Sequence, residues 1–164
     1  RSLGAKMIGT VSNEEKSDLS KKYGCEYTIN YKNENVVEKI NEITNDKGVN
    51  VVYDGVGKDT FDISLKCLKF RGLMVSFGQS SGMVNDVNLH STFNPKSLYY
   101  TRPTLMHYIR NSEELTECSK KLFSKIKNKE IKPNIFKKFK LSEASEAHEL
   151  IQSRNSVGSI ILCP

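Results

Sequence analysis

The chain has 164 residues, 37% hydrophobic and 27% charged, with a formal net charge of +6. That length supports a domain with a real core, and no apolar run approaches the ~20 residues of a membrane-spanning helix. Cys25, Cys67, Cys118 and Cys163 are isolated from one another, as are His90, His107 and His148, so no zinc spacing or disulfide framework is read.

In chain order, the apolar run 5–11 predicts a buried strand. Ser12 with Glu15 three residues later predicts a capping box and a helix start. Lys16, Leu19 and Tyr23 keep helical spacing, and Gly24 is placed to end that helix in a left-handed conformation. Residues 27–31 are β-prone, and Val36, Val37, Ile40 and Ile43 form the next helical stripe. A strand over 49–53 ends at Asp54-Gly-Val-Gly57. Phe61, Leu65 and Leu68 predict a helix lasting to Phe70-Arg-Gly72, and 73–77 is a strand followed by Gly78-Gln-Ser-Ser-Gly82. Residues 83–96 read as loop and 98–101 as a further strand. A helix is predicted over 113–127, an exposed strand over 135–141, a helix following Ser142 and Ser145, and a last strand over 158–162.

Strand and helix alternate with short links over the first eighty residues. This predicts an α/β fold with a doubly wound parallel sheet. Ligands of such sheets lie beyond the carboxyl ends of the strands. Those ends carry Ser12 and Asn13, then Tyr31, then Asp54–Gly57, then Phe77–Gly82, all polar or glycine-rich. An NAD-preferring domain places Asp or Glu at the end of the second strand, to accept from the ribose 2′-hydroxyl. Here the position holds Ser12, with Lys16 one turn on. A hydroxyl and an ammonium suit a 2′-phosphate, and the helix N-terminus adds positive potential. Glu14 and Glu15 oppose that potential and must point away. No nucleophile or acid–base pair is legible, so no catalytic residue is assigned. The lysines are interleaved with Asn and Glu, a pattern of solvated faces rather than of a nucleic-acid footprint.

Six stretches resemble the zinc-free, zeta-crystallin-like quinone oxidoreductases of the medium-chain dehydrogenase/reductase superfamily. They are Lys6-Met-Ile-Gly-Thr-Val-Ser-Asn-Glu-Glu-Lys16, Ile29-Asn-Tyr31, Val51-Val-Tyr-Asp-Gly-Val-Gly57, Arg71-Gly-Leu-Met-Val-Ser-Phe-Gly-Gln-Ser-Ser-Gly82, Thr101-Arg-Pro103 and Gly158-Ser-Ile-Ile-Leu162. The resemblance spans essentially the whole chain. It implies the C-terminal portion of such a protein: a Rossmann sheet lacking its first strand and glycine loop, and a segment that returns to an absent GroES-like domain. The expected division is 1–106 for the incomplete NADPH-binding domain and 107–164 for the return segment. Strands 5–11 and 49–53 would then each lack the neighbour that normally separates them.

The resemblance also implies the chemistry. NADPH is the expected cofactor, a quinone or activated alkene the substrate, and no metal takes part. Lys16 and Tyr31 would grip the 2′-phosphate, with Arg154 as a third ligand. Ser12 and Asn13 would line the adenosine ribose and Val56 the adenine side. Phe77, Gly78, Gln79, Ser80 and Ser81 would approach the nicotinamide half, flanked by Arg102, Pro103 and Thr104. The family pairs edge strands into a dimer, which points to 98–101, and a cytoplasmic location is expected. Alternatives are an RNA-binding module, permitted by the net charge, and an oligomerising structural fragment. One departure stands out: the family's Asn-Pro-Lys-Gly-Ser-Leu is Asn94-Pro-Lys-Ser-Leu98 here, with the turn glycine missing.

Overall fold

Alternation of short β-branched runs with capped polar helices produces two compact units, residues 3–108 and 109–164, in a computed structural model that describes residues 3–153 and 155–164. The first unit holds strands β1 (Ile8–Val11), β2 (Tyr27–Asn30), β3 (Val49–Asp54), β4 (Leu68–Ser76) and β5 (Tyr99–Thr101). Its helices are α1 (Glu14–Lys22), α2 (Val36–Thr44), α3 (Phe61–Cys67) and the short α4 (Leu89–Phe93). The second unit holds α5 (Ser112–Lys127), β6 (Ile135–Lys140), α6 (Ala144–Gln152) and β7 (Ser159–Cys163). All strand pairs are parallel.

In the first unit β1 pairs with β2, and β3, β4 and β5 form a second sheet in that order. Among the described residues, β1 and β3 therefore each have one paired edge. Side chains bridge what backbone does not. Ile29, Ile40 and Cys67 are buried together, with Ile8 of β1 and Val49 and Val52 of β3 packed against them. Val49 and Val52 also pack against a second cluster of Phe61, Leu65, Leu68 and Met74. Each fully buried side chain of this size contributes roughly 1.5–3 kcal/mol. Burial also raises the Cys67 thiol to a pKa of about 11, although Lys96 opposes the rise, so it stays a packing group. In the second unit β6, α6 and β7 form one βαβ turn around Phe139 and Ala147.

Three local readings are corrected and a fourth holds. The N-cap of α1 is Asn13, whose side chain accepts from the Lys16 N–H at 2.9 Å, so the Ser12–Glu15 capping box does not form. Asn is as good a cap as Ser, and the later position wins. Helix α3 ends at Cys67; Leu68 is already strand, and 69–72 bulge out of the β3–β4 register before pairing resumes at Leu73. A Cβ on Gly72 would stand 2.9 Å from the Lys69 carbonyl oxygen, so the bulge requires glycine. Residues 83–96 contain α4 and a 3-10 turn, Asn94–Lys96. The expected closure of α1 holds: the Gly24 and Cys25 N–H groups donate to the Lys21 and Ser20 carbonyls, a Schellman motif with Gly24 at φ 108°.

The missing turn glycine has a visible consequence. Ser97 takes the left-handed conformation itself, φ 50° and ψ 52°, where an L side chain costs roughly 1–2 kcal/mol. Ser97→Gly should stabilise the chain by about 0.5–1 kcal/mol, net of the extra freedom glycine gives the unfolded state. Urea unfolding measures this, and a lower midpoint would contradict it.

Candidate cofactor site

At the carboxyl edge of β3, β4 and β5, three loops are tied into one cluster. Asp54 ends β3 and is 4% exposed. Its Oδ1 accepts from the Val56 N–H at 2.8 Å and the Gly57 N–H at 3.0 Å, forming an Asx-type turn. The Thr60 hydroxyl donates to the carboxylate at 2.8 and 2.9 Å, and the Ser64 hydroxyl to Oδ2 at 2.7 Å. Burial pushes the carboxyl upward, but these donors outweigh it and hold Asp54 below the usual carboxylate range. It is ionised at neutral pH.

The loop after β4 hangs on this turn. The Phe77 N–H donates to the Asp54 carbonyl at 2.9 Å, and the Ser81 N–H and hydroxyl donate to the Val56 carbonyl at 2.8 and 2.9 Å. The Ser81 Oγ accepts in turn from the Asp59 N–H, and the Lys58 N–H donates to the Gly82 carbonyl. The approach is close enough to exclude side chains. A Cβ on Gly78 would lie 2.5 Å from the Gly55 carbonyl oxygen, and one on Gly57 2.6 Å from that of Gly82. From the end of β5, Arg102 donates to the Gln79 side-chain oxygen at 3.0 Å and toward the Ser76 carbonyl at 3.4 Å. Thus Val56, Phe77, Gly78, Gln79, Ser80, Ser81 and Arg102 share one edge, followed by Pro103 and Thr104. Phe77 is largely exposed there.

The other expected residues stand at the ends of β1 and β2. Ser12 follows Val11, and Tyr31 follows Asn30 and donates its N–H to the Val11 carbonyl at 3.1 Å. Because Asn13 is the cap, the Ser12 hydroxyl is left outside the helix cap. Helix α1 is anchored below by the buried Ser17 hydroxyl, 2.7 Å from the Thr28 hydroxyl on β2. Lys16, half-buried, is the residue before that anchor. Glu14 and Glu15 are exposed in the first turn. Arg154 lies outside the described residues.

Sequence reasoning singled out the Asp54–Gly57 loop but not Asp54 itself as its organiser. The available signal was an Asp before Gly-x-Gly, with hydroxyl residues at Thr60, just before the following helix, and at Ser64 on it. Among the described residues, no three His, Cys, Asp or Glu side chains stand close enough to hold a metal ion, and no helix is long and apolar enough to cross a membrane.

Parallel strands whose carboxyl ends gather polar, glycine-rich loops define a Rossmann-like nucleotide-binding unit. Residues 1–125 match the zinc-binding dehydrogenase domain family, and the chain belongs to that family. It is 49% identical to quinone oxidoreductase 1 of Escherichia coli, over 100% of this chain and 51% of that protein. It is 44% identical to the 2-haloacrylate reductase of a Burkholderia species, over 100% of this chain and 50% of that protein. The crystal structure of E. coli quinone oxidoreductase complexed with NADPH superposes with a TM-score of 0.94 at 51% identity, covering 99% of this chain and 51% of that one. The chain therefore spans about half the length of the relatives it matches.

Proposed function

We propose that the chain is the cofactor-binding half of an NADPH-dependent, metal-independent quinone oxidoreductase. The observation that carries this reading is the donor set at the ends of β1 and β2: Ser12, Lys16 and Tyr31, with Ser12 rather than a carboxylate directly after β1. That set fits a 2′-phosphate, and its electrostatics oppose NAD-type ribose recognition. The resemblance to an NADPH-complexed quinone oxidoreductase supports it.

In this reading Lys16 and Tyr31 hold the 2′-phosphate, with Arg154 as the third ligand. Ser12 and Asn13 line the ribose, and Val56 borders the adenine. Residues 77–81 orient the nicotinamide, flanked by Arg102, Pro103 and Thr104. NADPH supplies a hydride when bound; the chain's own residues position it and limit water at the loop edge. Residues 107–164 are the segment that returns to a GroES-like catalytic domain, so the division near residue 106 is part of the proposal. Substrates are quinones or activated alkenes. The edge strand β5, with Tyr99 and Tyr100 exposed, serves a homodimer, and the protein works in the cytoplasm.

The test is steady-state reduction of 1,4-benzoquinone by the full-length protein. NADPH should exceed NADH in kcat/KM by at least about tenfold, the value of one charge-assisted phosphate contact. Equal use of both cofactors would refute the assignment.

A further inference from the structure

Asp54 links more elements of the site than any group assigned to ligand contact. Its Oδ1 fixes the Val56 and Gly57 N–H groups, and the Gly57 carbonyl then accepts from the Thr60 and Phe61 N–H groups at 3.0 and 2.9 Å. Thr60 precedes α3 but makes no side-chain cap, because its hydroxyl is given to the carboxylate. Ser64, one turn further along α3, donates from a buried position. The turn after β3 is thereby locked to α3. Its carbonyls in turn accept from the loop after β4: Val56 from Ser81, and Gly55 from the Ser80 N–H at 3.4 Å. That loop's Gln79 accepts from Arg102. A continuous chain of contacts runs from Asp54 through both loops to the end of β5.

We infer that Asp54 is a positioning residue for the cofactor: from beneath the site, it sets the path of the loop that orients the nicotinamide half. This rests on the NADPH reading above. Being 4% exposed, Asp54 acts through Val56, Gly57, Ser81 and Gln79 rather than by touching the ligand. Its ionised form suits the role, since four donor groups converge on two oxygens and the two backbone N–H groups among them can only donate.

The experiment compares Asp54→Ala, Asp54→Asn and Ser64→Ala in the full-length protein, each assayed well below its own melting temperature. NADPH KM and kcat are measured with 1,4-benzoquinone, alongside the fluorescence of bound NADPH. Asp54→Ala should raise NADPH KM at least about tenfold, with kcat changed by less than about threefold. Asp54→Asn keeps an oxygen for both backbone N–H groups, and its amide can donate to the two hydroxyls, so it should return KM to within about threefold of the parent. Ser64→Ala removes one donor and should raise KM about threefold while folding normally. If Asp54→Ala fails to fold, Ser64→Ala decides. Variants that melt earlier yet keep the parent KM and fluorescence would reduce Asp54 to a structural role and overturn the inference. If the parent protein itself shows no NADPH preference, the cofactor reading fails first and takes this one with it.

Discussion

Replacing Lys16 with alanine in the full-length protein should weaken NADPH binding roughly 10- to 100-fold and leave NADH within about twofold. The ammonium is the fixed cation of the proposed phosphate site. A charge-assisted hydrogen bond contributes about 1.5–3 kcal/mol, and each 1.4 kcal/mol is tenfold in affinity. NADH lacks the 2′-phosphate and gains nothing from that charge. The neighbouring anchor, the Ser17–Thr28 hydroxyl pair, ties α1 to β2 and is untouched by the substitution. Fluorescence titration with both cofactors checks this. Equal weakening of NADH and NADPH would show that Lys16 supports the helix rather than the phosphate.

Gly78→Ala should cost about 2 kcal/mol of stability and most of the cofactor affinity. The added Cβ would stand 2.5 Å from the Gly55 carbonyl oxygen and 2.9 and 3.0 Å from the Gly55 Cα and carbonyl carbon. All three are backbone atoms of the turn that Asp54 locks, so relief requires the two loops to part. Gly82→Ala is the control. Its nearest neighbours are Lys58 side-chain atoms at 4.0 Å, so it meets only the strain of its φ of 118° and should leave loop packing intact. Urea unfolding and NADPH titration of both variants separate the effects. A Gly78→Ala protein with parent-like affinity would mean that the loops need not touch.

The alternation of strands and helices was legible because the apolar runs are short and the polar helices carry clear stripes, as at Val36, Val37, Ile40 and Ile43. Strand ends, and with them the loop residues of the site, followed from that pattern. The misreadings have physical causes. Leu68 continues the spacing of Phe61 and Leu65, yet it is fully buried as the first residue of a strand; the spacing suits either conformation. The five-residue α4 is too short to show a period and depends on the Asn88 cap, whose side chain accepts from the Ser91 N–H. Ser12 and Asn13 are competing caps, and sequence alone does not rank adjacent ones. The role of Asp54 was the least legible, because its donors come from a turn, a cap position and a helix interior, two to ten residues further along the chain. Such convergence is visible only after folding.

A loop shaped from beneath has a different freedom from one shaped by its own side chains. The path of residues 78–82 is set by the turn below, by backbone acceptors and by glycines that permit close approach. The exposed Ser80 enters that path through its backbone N–H, while the Gln79 side chain ties it to Arg102. Ser80 therefore sits on a variable rim above a fixed frame, where a new side chain can be exchanged without rebuilding the scaffold. On such a frame, a rim substitution changes the surface that the loop presents while the backbone path beneath it is inherited intact.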